Sequence, residues 1–524
     1  MSRGRVFKMT MSTSANESQI SSIMIVGGGS AGWLTAGILA ARYGQTMSVT
    51  LVESPDVKII GVGEGTWPTM KGTLKEMGIS ETDFFRECDA SFKHGAKFAK
   101  WVSGDEADYY YHPLMLPQDF TKTNLAPCWL KNNGDRSFSE SVCFQEALCE
   151  RALAPKTVTM PEYNSAANYA YHLNAGKFTK FLTRHCTSKL NVKHKLATIS
   201  EVLKSEDGGI RYVKTTDGQE LVADLFVDCT GMASLLLGKT LGVEFIDKND
   251  SLFIDRALAA QKPYESEEEP ILPYTVSTAQ KAGWIWDIGL TSRRGIGHVY
   301  SSKHTSEAEA EKALSDYIGP VFKDLSIKKI SIRSGHREIF WKHNCVAIGL
   351  SAGFLEPLEA SALMLIEISA KFVRDQLPET RNTMPIIARR FNKTMTYHWE
   401  RIIDFLKLHY VLSKRDDSDF WIDNRCPNTI PDSLAELLEL WKYHTPYRQD
   451  FSHKEEVFPA ASYQYVLYGM GFQTEVSNRH VESTDDAYRA AVAENERMVS
   501  KAVELLPDNR QLLQKINRFG MTAF

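Results

Sequence analysis

The sequence lacks a C-x-x-C pair and any cysteine or histidine spacing suited to a metal, although it holds eight cysteines, at 88, 128, 143, 149, 186, 229, 345 and 426. Cysteines scattered through a long chain argue against a zinc site and against a secreted disulfide framework, so a reduced, cytoplasmic protein with no metal is expected. No run approaches the roughly 18–20 consecutive apolar residues that a membrane span needs. No block of like charge exists either. Lys and Arg number 61 against 65 Asp and Glu, a formal charge of −4, which leaves no basic footprint for nucleic acid. Internal repeats and heptads are missing, which excludes solenoids and coiled coils. What remains is a chain of 524 residues, 43% hydrophobic and 24% charged, long enough for a large core and suited to a small-molecule partner.

Residues 1–20 are polar, have no apolar stretch and read as a disordered leader rather than a signal peptide. A βαβ pattern follows. Ile23-Met-Ile-Val26 is a buried-strand run, Gly27-Gly-Gly-Ser-Ala-Gly32 opens an apolar helix through Tyr43, and Ser48–Glu53 is the next strand. Gly27, Gly29 and Gly32, with Ser30 and Ala31 between the last two, satisfy G-x-G-x-x-G. Glycine at these places lets the backbone approach a pyrophosphate, whose charge meets the amides and dipole of the helix N-terminus. Glu53 ends the second strand, where it can accept from a ribose hydroxyl. The motif by itself leaves NAD and FAD both open.

Two later runs, Leu221–Asp228 into Cys229-Thr-Gly231 and Cys345–Ile348 into Gly349-Leu350-Ser-Ala-Gly353, repeat the strand-then-glycine pattern expected when distant segments return to one cofactor. Residues 102–165 read as an insertion rich in Pro, Asn and aromatic residues. From Pro385 the pattern turns helical: Phe391, Met395, His398, Ile402, Phe405, Leu406 and His409 recur at helical spacing up to Leu412. Thr484 precedes a periodic segment ending near Pro507, and Leu512, Leu513 and Ile516 fit one more short helix. The expected division is the leader, a nucleotide-binding module over 21–384 that contains the insertion, and a mostly helical part over 385–524 packed on it.

Four further segments carry chemistry. Gly349-Leu-Ser-Ala-Gly-Phe-Leu-Glu-Pro-Leu-Glu359-Ala-Ser-Ala-Leu363 sets Glu359 two residues before an expected helix N-terminus, with Glu356 reading as a surface acid. Arg86-Glu-Cys-Asp-Ala-Ser-Phe-Lys93-His-Gly-Ala-Lys97 offers two lysines that share a face if the stretch is helical. Gly283-Trp-Ile-Trp-Asp-Ile288 puts Trp284 and Trp286 on one side of a strand. Gly61-Val-Gly63-Glu-Gly65-Thr-Trp-Pro68 is a glycine-rich loop. Together with the fingerprint, these segments resemble the flavin-dependent halogenases, the family usually called tryptophan halogenases, from about residue 22 to the C-terminus.

The resemblance implies an α/β fold: an FAD-binding Rossmann-like module of the flavin monooxygenase type, a substrate-covering region and a mostly helical C-terminal part. It implies FAD, used as FADH2 and delivered by a separate NAD(P)H flavin reductase, together with O2 and chloride or bromide. The hypohalous acid so made halogenates a small electron-rich arene, with indole or an indole-like compound the first choice. Lys93 matches the family's active-site lysine and Glu359 its Pro-Leu-Glu carboxylate. An ammonium at Lys93 can hydrogen-bond hypohalous acid and raise its electrophilicity, or the free amine can form a haloamine. The carboxylate can take the proton lost by the arene. The family pattern carries over Gly27, Gly29, Ser30, Ala31, Gly32, Glu53, Gly65, Leu350 and Leu363 as flavin contacts, and Ser361 and Ala362 as the halide site. Trp284 and Trp286 become the wall that keeps organic substrate from the flavin, and His112 and Leu114 the substrate contacts. A homodimer is expected.

The chain departs from the family pattern at several places. Ser-Thr-Gly after the glutamate is Ala360-Ser361-Ala362, Gly65 replaces an alanine, and Gly289 replaces the proline of Trp-x-Trp-x-Ile-Pro. The His-x-Phe pair that sandwiches tryptophan is His112-Pro-Leu114, and no Tyr-Tyr and acid stand around Tyr443-His-Thr-Pro446, so free tryptophan is not the expected substrate. A flavin-dependent aromatic monooxygenase (hydroxylase) and a flavin-binding protein without halogenating activity are the alternatives. Against the hydroxylase, the third segment has Gly349-Leu350 where such enzymes carry Gly-Asp.

Overall fold

The computed structural model describes residues 19–56, 63–132, 136–453, 456–478, 481 and 484–524; the leader to residue 18, and Gly61 with Val62 of the glycine-rich loop, lie outside them. The chain joins the fold at once, since Gln19 bridges to Thr380 and the Ile20 amide donates to the Glu379 carbonyl at 3.1 Å. β1 (Ser22–Val26), α1 (Ser30–Tyr43) and β2 (Ser48–Glu53) form the expected βαβ unit. An unbroken apolar run such as β1 suits a parallel strand covered on both faces.

β1 and β2 belong to a six-stranded sheet in the order Trp341–Lys342, Cys345–Ala347, Leu225–Asp228, β1, β2, Lys193–Leu196, parallel except for the first pair. Ile25 stands opposite Val227 and Leu51, and Val227 opposite Val346. Both later strand-then-glycine segments therefore end on the same side as the fingerprint. The run Leu221–Asp228 is not one strand, however. Glu220–Leu221 closes a separate hairpin, and the chain turns at Asp224, whose carboxylate accepts from the amides and hydroxyls of Ser21 and Ser22.

A seven-stranded sheet carries the tryptophan pair, in the order Lys328–Ser331, Arg256–Lys262, Arg294–Tyr300, Gly283–Gly289, Thr275–Gln280, Gly95–Ala99, Tyr109–Pro113. A three-stranded sheet of Glu64–Gly65, Ala170–Leu173 and Ser91–Lys93 lies beside it in sequence. The lysine stretch is thus two short strands rather than a helix, because Ser91-Phe-Lys93 pairs with Ala170–His172 while Gly95–Ala99 pairs with the large sheet.

The long helix Met384–Val411 buries the whole expected stripe from Phe391 to His409. Helices Asp485–Leu505 and Asn509–Phe519 follow, the second burying Leu512, Leu513 and Ile516. Thr484 stands at the N-cap position, but its hydroxyl lies 2.9 Å from Cys128 Sγ instead of capping the helix. Among the described residues no helix is long and apolar enough to cross a membrane.

One contact fixes the cofactor end of the sheet. Gly27 has φ +115°, and a Cβ there would stand 2.1 Å from the Cys229 carbonyl oxygen. Gly27→Ala is expected to cost at least about 1–3 kcal/mol through backbone strain alone. The measurement is Tm and FAD binding of that variant; an unchanged Tm with retained binding would contradict the close approach.

Candidate active site

The glycine turn gathers all three strand ends. A Cβ on Gly32 would lie 1.9 Å from the Gly27 carbonyl oxygen, and one on Gly349, at φ +77°, would lie 2.6 Å from Ala31 Cβ. Gly29 is different, with no atom within 4 Å of its missing Cβ. No side chain caps α1, so its first-turn amides are open to an anion. Open glycine, bare helix amides and an acid at the end of β2 fit a dinucleotide. Ser30 Oγ bonds Thr179 Oγ1 at 3.1 Å, and Glu53 accepts from His194 Nε2 at 2.7 Å while its other oxygen crowds Gly28. Leu350 is exposed beside this turn, and Leu363 is buried in the helix Ser361–Asp375, which packs along α1.

Lys93 ends its strand fully buried, and its Nζ donates to the Thr66 carbonyl at 3.4 Å. Burial lowers the ammonium pKa to about 8, with the Glu359 charge opposing the shift. Glu359 has a side chain only 3% exposed and sits in a turn where it and Ala360 both adopt left-handed backbone, φ +64° and +55°. The turn delivers the carboxylate to the strand Tyr109–Pro113. There the Nδ1–H of His112 donates to Glu359 Oε1 at 2.8 Å, because an ionised carboxylate can only accept. His112 Nε2 lies 2.9 Å from Ser462 Oγ. His409 Nε2 lies 3.4 Å from the same Glu359 oxygen, and His409 Nδ1 bonds the Tyr110 hydroxyl at 2.6 Å. The Trp67 indole N–H donates to the Glu359 carbonyl at 2.9 Å.

Burial alone would raise the Glu359 pKa, but His112 and then His409 outweigh it and hold the carboxyl well below its usual range. Burial pushes the His409 pKa down. Among the described residues no ion pair joins Lys93 to Glu359. Gly65 stands beside Lys93 and the residue after Glu359: its missing Cβ would be 3.4 Å from Lys93 Nζ and 3.1 Å from Ala360 Cβ. Ser361 and Ala362 open the adjoining helix, buried and exposed respectively, and no side chain caps it. Bare amides there suit a small anion.

Trp284 and Trp286 are both buried on Gly283–Gly289, as strand alternation requires. Trp286 lies over Gly297, where a Cβ would come within 2.1 Å of its ring. Trp284 donates its indole N–H to Glu356 Oε2 at 3.0 Å, so Glu356 is no surface acid; it is 1% exposed. Lys97 is also removed from the site, on the neighbouring strand, paired with Glu150 at 2.8 Å and lying 4.1 Å over the Tyr109 ring. Leu114 does not join His112 at Glu359 through its backbone, which bonds His94 and Asn168 instead. Tyr443 is exposed, and His444 Nε2 lies 3.2 Å from Asp450.

Four residues of this cluster escaped the sequence reading: Tyr110, His409, Trp67 and Ser462. His409, with His398 one of two histidines in a mostly apolar helical stripe, is a signal for a buried partner, and Trp67 belongs to the glycine-rich loop segment. Ser462 gives no sequence signal.

Known proteins resemble this chain along nearly its whole length. The family model described as tryptophan halogenase matches residues 22–486. Tryptophan 6-halogenase SttH of Streptomyces toxytricini is 34% identical over 470 residues, which cover 86% of this chain and 89% of SttH. The 7-chloro-L-tryptophan 6-halogenase KtzR of Kutzneria sp. is 32% identical, covering 94% of this chain and 99% of KtzR. The crystal structure of a tryptophan halogenase from Shewanella frigidimarina matches with a TM-score of 0.94 at 46% identity, over 97% of this chain and 99% of that one. With its fingerprint, lysine, glutamate and tryptophan pair assembled in one fold, the chain belongs to the tryptophan halogenases, a family of flavin-dependent halogenases.

Proposed function

We propose that this halogenase acts on indole or an indole-like arene, with Lys93 presenting hypohalous acid and Glu359 taking the ring proton. The observation that supports it is the pair of buried, oppositely charged groups, Lys93 and Glu359, close enough to act on each other electrostatically yet with no ion pair between them among the described residues. O2, accepting two electrons from reduced FAD delivered by a separate NAD(P)H flavin reductase and two from chloride or bromide, would supply the oxidising power for hypohalous acid, with water as the other product. Gly27, Gly29, Ser30, Ala31, Gly32 and Glu53 would hold the FAD dinucleotide, with Gly65, Leu350 and Leu363 along the remainder. The amides of Ser361 and Ala362 would hold the halide, and Trp284 with Trp286 would wall the organic substrate away.

With a pKa near 8, Lys93 is mostly an ammonium at neutral pH. Its N–H then polarises the hypohalous acid and makes the halogen more electrophilic. Glu359 stays ionised and accepts the proton released by the arene, held in place by His112 and Ser462. The grip on an amino-acid backbone is weak in this chain. Tyr443 points to solvent, and His444 is engaged by Asp450. A substrate without that backbone follows. The hydroxylase and inactive flavoprotein alternatives have no support among the family relatives.

The deciding experiment is mass spectrometry of indole and tryptophan incubated with the protein, FAD, NADH, a flavin reductase, O2, and chloride or bromide in parallel. A halogen isotope pattern that needs both enzyme and halide, stronger with indole, is expected; hydroxylated product would revive the hydroxylase. Lys93→Ala is expected to abolish halogenation and keep FAD binding, and continued product formation by it would remove Lys93 from the mechanism. Glu359→Gln is expected to slow product formation by about 10²–10⁴-fold, the usual worth of a positioned general base. In a pH series, the single-turnover halogenation rate is expected to fall as pH rises through about 8, where Lys93 loses its proton. A rate that climbs through the same range would assign the haloamine route instead.

A further inference from the structure

Three residues before Glu359, Glu356 carries a second buried carboxylate with no part in the chemistry above. Its Oε2 receives two hydrogen bonds, from the Trp284 indole N–H at 3.0 Å and from the Tyr410 hydroxyl at 2.6 Å. Its Oε1 is buried without a partner. Lys407, fully buried and hydrogen-bonded to Asn424 at 2.8 Å, lies close enough to act on it electrostatically. Burial raises the Glu356 pKa to about 7, so a neutral acid and a carboxylate are both accessible near neutral pH.

One oxygen atom therefore ties together three elements: the strand of the tryptophan pair, the turn that presents Glu359, and the long helix at the residue following His409. Proline at 357 and the left-handed pair at 359 and 360 leave little freedom between the two carboxylates. A shift of Trp284 is thereby transmitted to Glu359 and the reverse.

We infer that Glu356 is a positioning residue, which holds Trp284 in the wall and Glu359 at the site in a single register so that oxidising equivalents reach halide and arene rather than leaking away. This rests on the proposed shielding role of Trp284. The readout is the ratio of halogenated product to hydrogen peroxide in a single turnover of protein-bound reduced flavin, with free flavin removed beforehand, so that only folded, flavin-loaded protein is counted. Glu356→Leu removes the acceptor and is expected to lower that ratio about tenfold, the scale of a buried hydrogen bond lost. Glu356→Gln keeps an acceptor oxygen and is expected to recover most of the ratio relative to Glu356→Leu. Tyr410→Phe and Trp284→Phe each delete one donor while keeping a ring, and each is expected to lower the ratio and to be non-additive with Glu356→Leu. These two keep the test alive if Glu356→Leu does not fold.

Trp284→Ala separates the two ideas. A lowered ratio in Trp284→Ala, with the native ratio in Glu356→Leu or in both ring-preserving variants, overturns the role of Glu356 and leaves the shielding intact. A native ratio in Trp284→Ala overturns the shielding and the role of Glu356 with it. Equal losses in Glu356→Gln and Glu356→Leu would also overturn it, since the retained acceptor would then count for nothing.

Discussion

An ionised carboxylate enclosed by protein is costly, by several kcal/mol, unless donors meet it. Much of the site is arranged around that cost at Glu359. His112 on a sheet edge donates to it, Ser462 on a C-terminal helix fixes the far side of His112, and His409 on the long helix brings Tyr110 with it. Trp67 holds the backbone of the same residue from the glycine-rich loop. Segments from four regions of the chain thus converge on one side chain, and their relative placement follows from satisfying it. The neighbouring residue of that loop, Thr66, holds Lys93 by its carbonyl, so one short strap spaces the two charged groups.

On the proposed mechanism, that separation keeps both groups usable. A lysine and a glutamate in contact would neutralise each other as a buried ion pair, and neither would be free to engage a reactant. Here the strap carries glycine at the narrow point, and a methyl there would press on both Lys93 and Ala360. Gly65 and Ala360, two of the chain's departures from the family pattern, are thus neighbours in space.

The cofactor end was legible in the sequence because it is local: strand, glycine turn, helix and terminal acid lie within β1, α1 and β2, and each obeys a periodicity. The helical stripe from Phe391 to His409 was legible for the same reason. Long-range pairing was not. Lys93 and Lys97 occupy different strands because their partners, Ala170 and Val276, lie far along the chain, and nothing in the lysine segment announces them. Asp224 interrupts a strand pattern because two serines far upstream claim its carboxylate. Glu356 looked like a surface acid since its partners, Trp284 and Tyr410, belong to separate elements that only the fold juxtaposes.

The sheet order has a consequence for how the protein is made. β1 takes its neighbour on one side from Leu225–Asp228, which in turn waits for Cys345–Ala347, and the glycine turn is complete only when Gly349 docks on Ala31. At a synthesis rate of about 5–20 residues per second, roughly 15–65 seconds pass between the ribosome's making of the fingerprint and the arrival of that last piece. Through that interval the nascent βαβ unit has apolar strands without partners and no finished cradle. A complete cradle for the flavin is consequently a late product of synthesis, formed only once the final third of the chain begins to emerge.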